Sequence, residues 1–387
     1  MSSKEKYHPK RFYQTRPYVK VLLNKYRQLI GKEPAPTMEQ FQEILNSFTN
    51  IYNSELSEIP FELRPDNMTV QMEELGLFMY FGAYYMHGQN IFDFNEDITE
   101  EFLNTDVDEV PLSSIKLPYK AFYLCFGPQE KLVLKKGYFI DGAYIHEMKP
   151  FSFDIFLTSV RQNFNYTKKS NFVLDRDYSY HWEFDTEKEQ NLTVKSGIDN
   201  YIKENKPFDK LEITPKTEFI DTGDRKIMLV DKIGYSQNLI ADEMIQSYEI
   251  FKESLKLIFN ALCYITTYQK DVVTKYPDDS PATLVNKFEH SKKMKDVRRN
   301  ESKLASMGYT KIHFCDTIIK YPNQVNNDTG REVSTHWRRG HWRHQAYGTG
   351  FSEHKLIWIR PTIVRKDKGE PIKGHIYQVE LDKDKTI

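Results

Sequence analysis

Residues 334–361, STHWRRGHWRHQAYGTGFSEHKLIWIRP, hold three of the chain's four tryptophans, four of its eleven histidines and four arginines. Imidazole and guanidinium groups at this density can do four things. They can hold a metal, cleave a phosphodiester, bind an anion without chemistry, or pack on the indoles. Read as a helix, Trp337, His341 and His344 share one face. Read as a strand, Trp337, Arg339, His341 and Arg343 share one face, and His336, Arg338, Trp342 and His344 the other. Gly340 disfavours the helix by about 1 kcal/mol relative to Ala. YGTGFS reads as a turn, and KLIWIRPTIV alternates beyond it. The expectation is a hairpin of 335–346 with 354–364.

That hairpin weighs differently on each chemistry. His341 and His344 have a two-residue spacing, with His336 and His354 in reach. On a strand, however, His341 and His344 point to opposite faces, no cysteine is near, and the adjacent arginines oppose a dication. No metal and no cofactor is expected. A metal-independent ribonuclease needs a base, an acid and a cation on the phosphorane-like transition state. Its candidates are His341 as acid/base and Arg339 on the phosphate. His336 and His344 share a face but lie roughly 26 Å apart at about 3.3 Å per residue, so the second acid/base must come from elsewhere. Anion or RNA binding would draw on His336, Arg338, Arg339, His341, Trp342, Arg343, His344, Tyr347 and Lys355. Guanidinium forks grip phosphates, and aromatic rings offer stacking faces to unpaired bases. In the fourth reading Trp337, Trp342 and Trp358 cap a sheet while arginines stack on them. That role can coexist with binding.

Charge is distributed unevenly around this segment. Residues 284–375 carry 19 Lys and Arg against 9 Asp and Glu, and residues 1–283 carry 33 against 43. Residues 93–109 alone hold eight carboxylates and no Lys or Arg. A single charge run usually marks a solvated face. A change of sign between two large regions implies that the C-terminal third meets something anionic or packs against the acidic part.

The chain has 387 residues, of which 39% are hydrophobic and 14% aromatic, enough for a sizeable core. No run of about 18 apolar residues is present. The first residues, MSSKEKYHPKRFYQ, contain no apolar signal region. Cys125, Cys263 and Cys315 each sit among apolar residues, as small buried thiols do. This cysteine usage fits a reducing compartment, and a cytoplasmic location in a bacterial host cell is expected.

The elements that must position the segment follow from periodicity. The first 33 residues read as a basic arm that becomes helical over 16–30, with Gly31 as a stop. A helix starts at Thr37, which with Gln40 has capping-box spacing. Residues 65–89 read as a strongly apolar helix in which Gly82 and Ala83 permit close packing, with His87 at its end. Strands rich in aromatic and β-branched residues follow at 119–127, 132–148, 151–160, 170–185 and 225–235, with Gly137 and Asp141-Gly142 as turn signals. A short helix lies between the last two, near 192–205. Residues 236–273 form the longest helix, with a stripe of Leu239, Met244, Tyr248, Phe251, Leu255, Ile258, Leu262 and Ile265. A basic, apolar-poor helix over 284–308, a strand over 309–321 and a loop over 322–334 complete the chain up to the hairpin.

The run HWRRGHWRHQAYGTG with HKLIWIRPTIV resembles the C-terminal signature of mobile-element anti-CRISPR proteins that act on the type V-A RNA-guided nuclease by suppressing its synthesis. The matching positions are His336, Arg338, Arg339, Gly340, His341, Trp342, Gly348, Thr349, Gly350 and Pro361. Weaker echoes are MYFGAYY at 79–85, AFYLCF at 121–126, GYFIDGAYI at 137–145 and NALCYITTYQKDV at 260–272. Their order agrees with the family, so the resemblance covers residues 70–365. The resemblance implies a translation-coupled silencer, one that recognises the nascent peptide of its target and causes loss of the mRNA being translated. The chain departs from the family pattern in its greater length, its basic N-terminal arm, and Arg343-His344-Gln345 where the family carries less charge. A different target is compatible with those departures.

The combined expectation is an α+β protein. It has an N-terminal helical region with a basic arm and the acidic stretch (1–115), a central mixed or antiparallel sheet with one long buried helix (116–275), and a basic C-terminal region closing on the His/Arg/Trp hairpin (276–387). Its expected partners are a nascent polypeptide and mRNA or the ribosome, and no membrane. Peptide recognition is expected in the sheet block and its apolar helix, with an exposed strand edge as the means, and RNA contact in residues 284–375. A metal-independent ribonuclease and a general RNA-binding regulator are the alternatives.

Overall fold

The computed structural model describes residues 3–61, 67–135, 138–149, 152–161, 180–185, 192–205, 218–221, 226–229, 237–315 and 336–364. The architecture is α+β, as expected. Five N-terminal helices come first: α1 (Ser3–Lys6), α2 (His8–Thr15), α3 (Pro17–Leu29), α4 (Met38–Ser57) and α5 (Asn67–Met86). Proline sets one break between them. Pro17 opens α3, and Arg16 before it takes extended backbone at φ −108, ψ 105. Thr37 and Gln40 form the expected capping box on α4. In α5, Gly82 lies so close to the Tyr26 ring that a Cβ there would sit 2.6 Å from it.

The acidic stretch is built into the fold and does not form a plain solvated face. It supplies β1 (Ile91–Phe94), α6 (Glu96–Leu103) and β2 (Thr105–Asp106). Asn95 caps α6 by accepting from the Ile98 N–H at 2.8 Å, and Glu96 and Asp97 sit in its first turn, where the helix dipole favours carboxylates. Next come β3 (Ala121–Cys125), β4 (Val133–Lys135), β5 (Tyr138–Lys149), β6 (Ser152–Arg161), β7 (Tyr180–Asp185), α7 (Val194–Asn205), β8 (Glu218–Asp221), β9 (Lys226–Leu229) and α8 (Gln237–Thr267). The chain continues through β10 (Val272–Lys275), α9 (Ala282–Glu289), α10 (Met294–Ser306), β11 (Ile312–Cys315), β12 (His336–Arg338), β13 (Gly340–Tyr347), β14 (Glu353–Ile359) and β15 (Thr362–Val364).

The main sheet is mixed, in the order β10-β11-β1-β3-β5-β6-β7, with β4 added on β5. β11, β1 and β3 are parallel neighbours, and the remaining pairs are antiparallel. Strand alternation sends residues to two cores. Ile91, Tyr123, Cys125, Tyr144, Phe156 and Ile312 pack with helices α2 to α5. Phe92, Phe94, Phe122, Leu124, Ile145, Ile155 and Leu157 pack with α6, α7 and α8. All three cysteines are buried, as their contexts imply.

Several expectations change. The basic N-terminal arm is interior structure, not a free arm. Tyr7, His8, Arg11, Phe12 and Arg16 are buried against the sheet and α5. Asp141-Gly142 is no hairpin turn, because β5 runs straight through it. The register between β5 and β6 shifts there, so Asp141 occupies a bulge. A Cβ on Gly142 would lie 2.2 Å from the Leu124 carbonyl oxygen, so only glycine allows the close approach of β3. The bulge aims the Asp141 carboxylate at Arg11 and Thr158. Within 225–235, the described strand β9 pairs with β8 in a separate two-stranded ribbon and does not join the sheet. The long helix ends at Thr267, and the basic helix is two helices, α9 and α10. Gly137, residues 170–179, the loop 322–334 and the remainder of the 309–321 strand after Cys315 lie outside the described residues, as do the side chains of Leu239, Met244 and Tyr248 in α8.

Candidate functional site

The expected hairpin is present, in two registers that meet at a bend. β12 pairs antiparallel with β15, placing His336 opposite Val364 and Arg338 opposite Thr362. β13 pairs antiparallel with β14, from His341 opposite Ile359 to Tyr347 opposite Glu353. The bend falls at Arg339-Gly340. A Cβ on Gly340 would lie 2.6 Å from Pro361 Cδ and 2.8 Å from the Ile359 carbonyl oxygen, so the two signature residues Gly340 and Pro361 pack directly on each other. The Gly340 N–H donates to the Asn104 carbonyl at 3.0 Å, and Gly340 and His341 pair in parallel with Thr105 and Asp106 of β2. The Gly-Thr-Gly run turns the chain, with Gly348 and Gly350 at positive φ.

The two faces of β13–β14 have different jobs. The inner face carries Trp342 and Trp358, which are 6% and 7% exposed and stack with ring centroids 5.9 Å apart. Both indole N–H groups are engaged. Trp342 donates to Asn260 Oδ1 at 2.7 Å, and Trp358 donates to Thr105 Oγ1 at 3.0 Å. Asn260 on α8 is fully buried, and its Nδ2 lies 3.1 Å from both the Phe102 and Thr105 carbonyls and 3.0 Å from that of Lys256. This one amide therefore joins α8, α6, β2 and β13, and it satisfies groups that would cost about 1–3 kcal/mol each if left bare. The Tyr268 hydroxyl accepts from the Trp358 backbone N–H at 3.1 Å. Arg360 ion-pairs with buried Glu101 at 2.9 Å and lies over the Trp358 ring at 4.7 Å.

The outer face presents the cations. Arg339, His341, Arg343 and Lys355 are exposed, as is Tyr347, whose ring lies 5.2 Å from Lys355 Nζ. Glu353 accepts a hydrogen bond from the Tyr347 hydroxyl, which raises the Tyr347 pKa. Arg339 borders a cavity of about 70 Å³ with Asp106, Glu253 and Lys256 on its walls, too small to take a ligand. His344 falls on the inner face but beyond the tryptophans, where it is exposed and stacks on His354 at 4.7 Å.

The sequence-expected residues thus divide. His341, Arg343, Tyr347 and Lys355 share one surface, whereas Arg339 sits at the bend beside Phe102, Glu253 and Lys256. Trp342 is corrected to a core residue, because its ring faces α8 and its N–H is spent on Asn260. His344 stands apart from His341 on the opposite face. For His336 and Arg338 the backbone alone is described, and the Trp337 side chain also lies outside the description. For the nuclease reading, His341 pairs with Ile359 of β14 on one side and with Asp106 of β2 on the other, so the ionisable residue beside it in register is a carboxylate. Among the described residues no group of His, Cys, Asp and Glu is arranged to hold a metal.

Asn260, Thr105, Tyr268 and Glu101, which clamp the hairpin, were not singled out from sequence. Asn260 had a signal, because an amide inside the apolar stripe of a long helix disfavours the helix unless a tertiary partner uses it.

The model of the family described as AcrVA2-like, anti-CRISPR type V subtype A2, matches residues 92–366. The match spans β1 to the end of the described hairpin. A crystal structure of AcrVA2 aligns over 92% of this chain and 95% of that chain at 14% identity, with a TM-score of 0.36. No curated protein matches the sequence.

Proposed function

Because the chain belongs to the AcrVA2-like anti-CRISPR type V subtype A2 family, we propose that it is a mobile-element counter-defence protein that recognises a nascent polypeptide and lowers the level of its mRNA. In this reading the outer face of β13–β14 contacts RNA or the ribosome in the cytoplasm of a bacterial host. The supporting observation is the division of labour on that hairpin. Trp342, Trp358 and Arg360 fix one face in the core, so His341, Arg343 and Lys355 stand on a rigid, solvent-facing surface, with exposed Arg339 at the adjoining bend. Preorganised cations of this kind hold phosphates without first losing side-chain and loop entropy.

Peptide recognition is assigned to a strand edge. β10 ends the main sheet, bonds β11 on one side, and exposes Val273 at 56%. An extended peptide can add to such an edge through main-chain hydrogen bonds.

The test is a pull-down from a lysate translating the type V-A nuclease mRNA, with identification of peptides and RNA together. Joint recovery of the mRNA and its nascent chain, lost on puromycin treatment, is the expected result. Recovery unchanged by puromycin would sink the reading. Arg343→Glu with Lys355→Glu should keep the nascent chain and lose the fall in mRNA level.

A further inference from the structure

A second basic surface lies outside the hairpin. α9 and α10 are inserted between β10 and β11, which are antiparallel neighbours at the edge of the main sheet. The insertion has almost no core of its own. α9 buries no residue, and α10 buries Leu304. Its base is held by Tyr276 against Phe288 at 5.4 Å and by Lys311 over the Phe288 ring at 4.5 Å. Residues 282–308 carry seven Lys and Arg against three Asp and Glu. A helix pair that buries so little is not explained by packing.

Between α9 and α10 runs an open groove of about 680 Å³. That volume lies in the range of about 300–1,000 Å³ typical of ligand clefts. Lys287, His290, Arg299 and Lys303 line it, with Asn286, Ser291 and Asn300 between them and Asp296 at one side. The positive charge of Lys287, Arg299 and Lys303 is not paired with a carboxylate among the described residues.

We infer that the α9–α10 groove binds the phosphodiester backbone of single-stranded RNA. The inference rests on the RNA-contact part of the proposed function and adds a second site for it. The lining separates this ligand from an acidic peptide. Peptide grooves supply apolar pockets for alternate side chains, whereas here Leu284 is the one aliphatic wall. Cationic forks, amides and a hydroxyl are the groups that position phosphate and sugar, and the exposed His290 ring can stack on an unpaired base. Backbone contacts of this type bind without reading sequence. They would keep an mRNA on the protein while selectivity comes from the nascent chain.

The test uses fluorescence anisotropy of a short, unstructured, fluorescein-labelled uridine-rich RNA on the full chain, over a range of salt. Arg299→Glu with Lys303→Glu should weaken binding roughly tenfold or more and flatten the salt dependence by about 0.7 in log–log slope per lost phosphate contact. The milder Arg299→Gln with Lys303→Gln, checked for fold by circular dichroism, should move both quantities the same way by less. Lys116→Glu with Lys131→Glu, exposed positions elsewhere, makes the same change in net charge and should leave the slope unchanged. Equal loss in that control overturns the groove, as does wild-type affinity in the Arg299 and Lys303 variants. Competition by polyglutamate as effective as by RNA overturns the choice of ligand, and so does binding of a DNA oligomer with none of the RNA. If the hairpin variant Arg343→Glu with Lys355→Glu loses RNA while the groove variants keep it, this inference fails and the proposed function stands. Puromycin-sensitive capture of the nascent chain is read separately, so the two failures are distinguishable.

Discussion

At the N-terminus, Lys6, Arg11 and Arg16 each meet a carboxylate that is buried. Lys6 lies 2.6 Å from Asp93, Arg11 pairs with Asp141, and Arg16 Nε lies 2.6 Å from Glu74. In α9 and α10, at the other end of the chain, Lys287, Arg299 and Lys303 line an open groove and meet none among the described residues. The two regions have similar sequence texture, basic helices with a few aromatics. Their difference lies in who neutralises them. The N-terminal cations spend their charge on Asp93 of β1, Asp141 of the β5 bulge and Glu74 of α5, which fixes the helices on the sheet. The α9–α10 cations meet no such carboxylate among the described residues. A count of Lys and Arg cannot separate these cases, because the separating carboxylates come from distant parts of the chain.

The largest effect that would break this comparison is on stability. Arg16 and Glu74 are 1% and 2% exposed at the side chain. Removing one member strands a buried charge, so Arg16→Ala is expected to lower stability by about 3–5 kcal/mol. Arg16→Met together with Glu74→Leu should recover most of that loss, since an apolar pair of similar volume avoids the desolvation cost. Urea midpoints of the three proteins measure it. A neutral Arg16→Ala would show that the N-terminal helices are not fixed by their charges, and the contrast would lapse.

The signature hairpin stands between the two regions, with one face in the core and one outside it. Asn260→Leu removes the acceptor of the Trp342 N–H and the two amide N–H donors shared among the Phe102, Thr105 and Lys256 carbonyls. A loss of about 2–4 kcal/mol is expected from the groups left bare. Amide exchange in β13 should accelerate more than in β5. If exchange quickened equally in both strands, Asn260 would be a general core residue and not the clamp of this hairpin.

The sequence was most legible where a periodic pattern acts alone. The capping box at Thr37, the stripe Leu255, Ile258, Leu262 and Ile265 of α8, and the hairpin with its turn at Gly348 and Gly350 were all readable, because local chemistry decides them. Three features were not. Asp141-Gly142 has the composition of a hairpin turn, and only the proximity of Leu124 and Tyr123 makes it a bulge. The N-terminal arm looked like a surface tail, since the carboxylates that draw it inward lie at Glu74, Asp93 and Asp141. Trp342 belongs to an alternating pattern that leaves both faces open until α8 is seen to cover one.

A smaller effect comes from His146, on the face of the sheet toward the N-terminal helices. It sits opposite Asp154, with Tyr80 and His87 as ring neighbours. Burial lowers its pKa from 6.5 to about 4, although the Asp154 charge acts the other way and His87 adds slightly to the lowering. A histidine with a depressed folded pKa binds fewer protons when folded. Stability is therefore full above pH 6.5 and falls as pH drops from about 6.5 to about 4. The share from His146 is on the order of 3 kcal/mol. His146→Gln should flatten the stability profile across that window, with buried carboxylates left to act below it. An unchanged profile would show that the N-terminal side of the sheet is not closed to protons.

The smallest effect separates two arginines that are neighbours in sequence. Arg299 lines the α9–α10 groove, and Arg298 is exposed on α10 without lining it. Successive helix residues differ by about 100° in direction, so their heads reach different surfaces. Neither should shift stability by more than about 0.5 kcal/mol when changed to Ala, which already sets them apart from Arg16. Arg299→Ala should lower the salt slope of RNA binding by about 0.7, the value of one contact on a single strand. Arg298→Ala should leave that slope unchanged, since a charge pointing away from the groove is screened over about 8 Å at physiological salt. Equal slopes for the two variants would mean that RNA reads the total charge of α10 and not the groove. The distinction between neutralised and available cations would then hold for the N-terminus alone.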